Sequence, residues 1–250
     1  MTMENEMQSY SYEKTVKICG MEETEVRGKI HDLLTEQEKV VFTFFTTPGE
    51  VDIRISAKSE QEEEAKQRVK SVVRDLKIRL GSHIFTTSAK VTLAETIVEL
   101  LKEQKMTITT VESCTGGMVS ARLTDVAGVS EVFKQGFVTY SNKAKRKLIG
   151  VKKMTLKKYS AVSDQTAWEM ARGGAALTDA DVCISVTGYA GPETGAEDQP
   201  VGLVYIGCNV KGKIEVEEFH FSGDRRMIRE LATVNALTLL RRCILENYQI

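Results

Sequence analysis

The chain has 250 residues, 42% hydrophobic and 28% charged, with a formal net charge of −1. That composition is ordinary for a globular protein with one large domain or two modest ones, and it excludes a disordered chain. The near-zero charge gives no whole-chain pull toward nucleic acid or an anionic membrane.

Five cysteines (Cys19, Cys114, Cys183, Cys208 and Cys243) show no C-x-x-C spacing, which argues against a disulfide framework or a structural zinc site. They sit mostly in apolar runs and read as buried small hydrophobes. The polar, acidic start does not resemble a signal peptide, and no apolar run approaches the ~20 residues that span a bilayer. The expected location is the cytoplasm, with no membrane partner.

Residues 1–9 read as a frayed lead. A strand is expected over 15–19, ending at Gly20, followed by one helix that carries Val26, Ile30, Leu33 and Leu34 on a single face. Residues 40–46 are β-branched and aromatic and read as a strand. Pro48-Gly49-Glu50 is a turn, and alternation of Val51, Ile53 and Ile55 with polar residues marks the returning strand of a hairpin. A helix follows with Ala65, Val69, Val72, Val73, Leu76 and Leu80 on its core stripe, stopped by Gly81. A short strand at 84–85 closes a small α+β domain, assigned to residues 1–88. Residues 86–89 are polar and read as the linker.

The second domain, assigned to residues 89–250, opens with the capping box Thr92-Leu93-Ala94-Glu95. Strands are expected at 107–111, 137–140, 182–187, 201–210 and 214–221, with helices after residue 117, over 163–177 and over 224–247. Strands and helices alternate before two adjacent strands pair around Lys211-Gly212. This order predicts an α/β fold, a mixed-sheet α/β/α sandwich, preceded by the small α+β domain.

Four segments at strand ends could carry chemistry. In Glu112-Ser113-Cys114-Thr115-Gly116-Gly117 a strand meets a helix. Ser113 reads either as an N-cap or as a nucleophile with main-chain N–H groups beside it. Cys114 is a rival nucleophile. The three histidines, His31, His83 and His220, supply no supported partner for a Ser–His–Asp triad. A lysine with a pKa lowered by burial is an alternative base. No metal-ligand spacing is present, so no metal and no cofactor are expected.

The second segment, Tyr140-Ser141-Asn142-Lys143-Ala144-Lys145, ends a strand and starts a basic helix. Spacing alone does not separate Lys145 from Lys143, Arg146 and Lys147, which read as a solvated face. The third, Thr187-Gly188-Tyr189-Ala190-Gly191-Pro192, offers Thr187 as a strand-terminal hydroxyl. The fourth places Arg225 and Arg226 in a first helical turn behind the N-cap Asp224. Cations are disfavoured there, which hints at an anionic ligand.

The order and wording of these segments carry a resemblance. Residues from about 91 to 247 resemble the C-terminal domain of the competence/damage-inducible CinA family, the nicotinamide-nucleotide amidases. Beyond the strand-end segments, the matching stretches are Gly150-Val151, Ala161-Val162-Ser163, Pro200-Val201-Gly202 and Phe221-Ser222-Gly223-Asp224-Arg225. The resemblance implies hydrolysis of the carboxamide of nicotinamide mononucleotide to nicotinate mononucleotide and ammonia. It makes Ser113 the nucleophile, Lys145 its base and Tyr140 a supporting group. Thr115, Gly116, Gly117, Thr187, Gly188 and Arg225 are the implied substrate contacts, and a homodimer is implied.

Lys143 departs from an acidic position common in the family, Tyr189 from an aliphatic one, and Glu193-Thr194-Gly195 from a glycine-rich run. Residues from about 12 to 86 are similar to the KH-like middle domain of CinA proteins, through residues 18–23 and 48–51. This segment lacks a G-x-x-G loop and carries 13 Lys+Arg against 16 Asp+Glu within residues 1–88, so no nucleic-acid partner is expected. The larger first domain of full-length CinA proteins has no counterpart here, and its activity is not expected. Two other readings stand beside the amidase: a non-catalytic regulatory protein that binds pyridine nucleotides, and a protein-interaction module built on the acidic small domain.

Overall fold

The structure is a computed structural model that describes residues 9–36, 39–193 and 199–248. The expected frayed lead therefore lies almost wholly outside the described residues, as do Thr194 and Gly195. The chain divides into two compact units, with the boundary between Thr92 and Leu93, four residues beyond the expected one.

The first unit runs β1 (Tyr10–Cys19), α1 (Glu23–Lys29), α2 (His31–Glu36), β2 (Val40–Thr47), β3 (Glu50–Ser59), α3 (Glu62–Leu80) and β4 (Ile84–Thr86). Its antiparallel sheet has the order β2-β3-β1-β4. The hairpin forms as expected: Thr47 pairs with Glu50, and Gly49 at φ 79° supplies the left-handed residue that the tight turn requires. Val16, Ile18, Ile53 and Ile55 from the sheet meet Val26, Ile30, Val69, Val72 and Leu76 from the helices in one core.

The single helix expected after Gly20 is two. Ile30 leaves helical geometry at φ −120°, ψ 17°. The Ile30 N–H still donates to Val26 O and the Leu34 N–H to Ile30 O, so the apolar stripe survives the break and the periodicity could not reveal it. The expected linker is also shortened at its start, because β4 runs through Thr86.

The second unit runs α4 (Leu93–Glu103), β5 (Ile108–Glu112), α5 (Met118–Thr124), β6 (Phe133–Val138), α6 (Asn142–Ile149), α7 (Lys153–Tyr159), α8 (Asp164–Thr178), β7 (Val182–Gly188), β8 (Leu203–Val210), β9 (Lys213–His220) and α9 (Arg225–Tyr248). The sheet order is β6-β5-β7-β8-β9. Strand β5 is parallel to both neighbours, while β8 and β9 pair antiparallel around Lys211-Gly212.

Helices cover both faces, and the pleat shows how. Val111 and Cys183 pack with Met170 of α8, and the Ser185 hydroxyl donates to Ala167 O at 2.7 Å. On the opposite face Thr110 and Glu112 meet Ser120 of α5. Alternate positions of each strand thus serve different layers, and β7 is buried almost throughout. This is the mixed-sheet sandwich expected from the element order. The five cysteines are buried thiols, none of them in a disulfide. Among the described residues no helix is long and apolar enough to cross a membrane.

Gly173 and Gly174 on α8 set two of these spacings. A Cβ at Gly173 would stand 1.9 Å from Ile149 O of α6, and one at Gly174 would stand 2.4 Å from the Val111 side chain of β5. Gly173→Ala improves helix propensity by ~1 kcal/mol, yet it forces α6 off α8. A net loss of about 1–3 kcal/mol is expected, read as a lower urea midpoint. An unchanged or higher midpoint would contradict the close approach of the two helices.

Candidate active site

The strand β5 ends in Glu112, a fully buried carboxylate. Its two oxygens accept the N–H groups of Gly117 (2.9 Å), Val119 (3.1 Å) and Ser120 (2.9 Å) and the Ser120 hydroxyl (2.7 Å). A buried carboxylate is tolerable only with such saturation. The chain therefore folds back over its own preceding residue, and the turn passes through Gly116 at φ 62° and Gly117 at φ 101°, a region that glycine enters freely.

Ser113 sits at the start of this loop. Its N–H continues the sheet to Val186 O at 2.9 Å, and its side chain is held beneath the surface, 8% exposed.

Lys145 reaches Ser113 from α6. That helix begins behind the N-cap Ser141, whose hydroxyl accepts the Ala144 N–H at 3.1 Å. Lys145 and Ile149 form its buried stripe, one turn apart, while Lys143, Arg146 and Lys147 are exposed. Burial, not spacing, singles out Lys145: it is 1% exposed and among the largest fully buried side chains. Its Nζ donates to Ser113 Oγ at 2.9 Å and to Thr139 O at 2.8 Å. No carboxylate accompanies it in these bonds. Burial lowers its pKa from 10.5 to about 8, because desolvation disfavours the ammonium.

Cys114 has the opposite fate. Burial pushes its thiol up to about 11, against a weaker downward pull from the adjacent main-chain N–H groups. Burial disfavours its thiolate, which argues against Cys114 as the nucleophile. His220 also stands apart: its Nε2 lies 2.7 Å from Glu218 Oε1 on exposed β9.

Tyr140 and Arg225 meet at the surface. Arg225 Nη2 donates to the Tyr140 hydroxyl at 2.9 Å and Nη1 to Gly191 O at 2.5 Å. Asp224 caps α9 as expected, accepting the Met227 N–H at 2.8 Å. Tyr140 lies just past β6, which ends at Val138, and is 61% exposed. The Thr139 N–H donates to Glu112 O at 2.7 Å, so this extension still lies beside the end of β5.

Several expected substrate contacts are otherwise engaged. The Thr187 hydroxyl is fully buried and donates to Ala161 O at 2.7 Å, so it fixes the main chain instead of facing a cleft. A Cβ at Gly188 would stand 2.6 Å from Val204 and 2.8 Å from Leu203 O, so packing against β8 accounts for that glycine. The Gly117 N–H belongs to Glu112, and the Gly116 N–H donates to Ser113 O at 3.1 Å. Neither is open to a ligand. The Thr115 hydroxyl is buried and has no hydrogen-bond partner among the described residues.

Three groups escaped the reading of the sequence. Glu112 carried no role in the sequence reading; its signal was a charge at the end of a buried strand. Arg229 donates through Nε to Cys114 O at 3.0 Å and through Nη2 to Thr115 O at 2.9 Å; its signal was its place one helical turn after Arg225. The third, the Thr139 carbonyl, leaves no trace in side-chain patterns. A separate cavity of about 400 Å³ at the far end of α6, lined by Leu148, Lys152, Glu169, Arg172 and Leu177 among others, includes neither Ser113 nor Lys145.

Comparison with known proteins agrees with this architecture. Residues 90–244 match the CinA C-terminal domain, and residues 13–86 match the damage-inducible protein CinA KH domain. A CinA-like protein from Dictyoglomus turgidum is 42% identical over 234 residues, 94% of this chain and 57% of its own. One from Kosmotoga olearia is 41% identical over the same shares. The chain thus spans a little over half the length of these curated relatives.

Among solved structures, a competence/damage inducible protein from Agrobacterium tumefaciens is 38% identical with a TM-score of 0.58, covering 61% of this chain and 93% of its own. One from Klebsiella pneumoniae is 37% identical with a TM-score of 0.59, covering 60% and 93%. With both of its units matched in order, the chain belongs to the CinA family.

Proposed function

We propose that the second unit is a nicotinamide-nucleotide amidase, which hydrolyses the carboxamide of nicotinamide mononucleotide with Ser113 as nucleophile and Lys145 as base. The observation that carries this reading is the 2.9 Å contact between Lys145 Nζ and Ser113 Oγ, with the lysine 1% exposed and its pKa lowered to about 8. A neutral amine has two N–H donors and one lone pair. One N–H on the Thr139 carbonyl leaves the lone pair free to accept the Ser113 hydroxyl proton.

In the proposed sequence Lys145 takes that proton as Ser113 Oγ attacks the carboxamide carbon. The resulting ammonium then protonates the departing nitrogen, which leaves as ammonia and creates an ester on Ser113. Water attacks the ester, Lys145 again takes the proton, and the carboxylate product departs with Ser113 restored. Arg225 commits two of its five N–H donors to Gly191 and Tyr140. The remaining donors suit the nucleotide phosphate. This substrate is the one implied by the family resemblance.

Purified protein given nicotinamide mononucleotide should release ammonia, and Ser113→Ala should lower the rate by about a thousandfold or more. Nucleotide binding without turnover in the wild-type protein would reject the reading. The rate should rise with pH toward a plateau above about 8, since only the uncharged amine accepts the proton. A rate that falls over pH 6–8 would contradict Lys145 as base.

Stability gives an independent check. The folded pKa of about 8 lies below the ordinary 10.5. Between these values the unfolded chain binds the proton that the folded chain lacks. Burial of Lys145 therefore costs most below about 8, and wild-type stability rises with pH across the window. Lys145→Met has no such group, and titrations common to both proteins cancel. The stability of Lys145→Met relative to wild type should fall by on the order of 2 kcal/mol from pH 7 to pH 10, read by urea titration. Parallel pH curves would show that Lys145 titrates as it does in water.

A further inference from the structure

Ser113 attack on a carbonyl creates an oxyanion that needs donors within hydrogen-bond reach. The glycine N–H groups of the loop are spent, and the Ser113 N–H is bound to Val186 O. Among the described residues, the N–H groups of Cys114 and Thr115 bond no main-chain oxygen. Both lie close enough to the Cys114 sulfur to act on it, but a thiol is a weak acceptor and leaves their capacity open.

Their directions are fixed from the other side of each peptide plane. In a trans peptide the C=O and the following N–H point in opposite directions and cannot turn separately. The Ser113 carbonyl accepts the Gly116 N–H at 3.1 Å, which sets the Cys114 N–H. The Cys114 carbonyl accepts Arg229 Nε at 3.0 Å, which sets the Thr115 N–H, and Arg229 Nη2 bonds the next carbonyl at 2.9 Å.

Arg229 is itself braced. It follows Arg225 by one turn on α9, a helix held to α5 where Glu230 accepts Arg122 at 2.8 Å; its own guanidinium is held by the two loop carbonyls.

We infer that Arg229 is a positioning residue: its guanidinium, bonded to the Cys114 and Thr115 carbonyls, aims the Thr115 N–H at the oxyanion formed when Ser113 attacks, beside the Cys114 N–H that the Gly116–Ser113 bond sets. The cation does not touch substrate. It orients one donor and polarises the peptide that carries it, so its effect is confined to the transition state. This inference rests on the amidase reading above.

The test compares wild type, Arg229→Met and Arg229→Lys by steady-state ammonia release from nicotinamide mononucleotide, with and without added methylguanidinium. For Arg229→Met, kcat should fall by about a hundredfold while KM stays within about threefold. Methylguanidinium should restore part of kcat. Arg229→Lys keeps one charged donor and should fall between the two. A folded Arg229→Met with kcat within about twofold of wild type, a loss confined to KM, or a loss that methylguanidinium leaves untouched would overturn the inference. If Arg229→Met fails to fold, Arg229→Lys decides: a kcat loss of about tenfold or more supports it and an unchanged kcat overturns it. A wild-type protein that releases no ammonia would instead overturn the amidase reading, and this inference with it.

Discussion

A lysine amine buried without a carboxylate in its hydrogen bonds is an expensive thing to build, and Lys145 is placed so that the expense produces reactivity. Removal from water disfavours the ammonium and draws the pKa down to about 8. Two oxygens remain as partners, the Ser113 hydroxyl and the Thr139 carbonyl. Both suit an amine in either protonation state. A carboxylate in their place would have held the proton on nitrogen. Roughly one lysine in ten is then uncharged at pH 7, and the uncharged form has its lone pair beside an alcohol.

Much of the second unit can be read as the means of holding that contact. The parallel pairing of β5 with β6 sets Thr139 beside Glu112, so the carbonyl that anchors Lys145 and the residue before the nucleophile move as one. The N-cap Ser141 starts α6 with Lys145 on its inner stripe. Gly173 lets the far end of the same helix lie against α8. On the other face of the sheet, Glu112 gathers the N–H groups of the loop and α5, while α9 supplies Arg225 to Tyr140 and Arg229 to the loop carbonyls. The ends of three adjacent strands and the first turns of two helices converge within a few residues of Ser113, as expected for an α/β sheet whose chemistry gathers at strand carboxyl ends.

The parts legible in the sequence were those written in side-chain period and punctuation. Alternation exposed the β2–β3 hairpin, Pro48-Gly49 its turn, and Asp224 the start of α9. The serine at the end of β5 was also visible. Lys145 was not separable from Lys143, Arg146 and Lys147 by spacing, because its distinction is burial, and burial depends on where β5 lies relative to α6. Thr187 looked available because strand-end hydroxyls often are; its commitment to Ala161 O comes from a loop 26 residues away. The N–H groups of Gly116 and Gly117 are taken by Ser113 O and by the Glu112 carboxylate, three and five residues earlier, in a turn that the side-chain pattern does not record. The break at Ile30 was hidden because helix hydrogen bonds continue across it. Arg229 was visible only as an arginine one turn after Arg225; its partners are main-chain carbonyls more than a hundred residues away, which the sequence does not record.

The uncharged amine is the premise on which the chemistry depends, and it can be observed without any substrate. With lysine labelled at 13Cε and 15Nζ, and Lys145→Met used to assign the resonance, an NMR titration reads the protonation of Lys145 directly. A midpoint near 8 is expected. A midpoint near the ordinary 10.5 would mean that the amine beside Ser113 stays charged throughout the neutral range, and it would contradict the proposed mechanism at its first step.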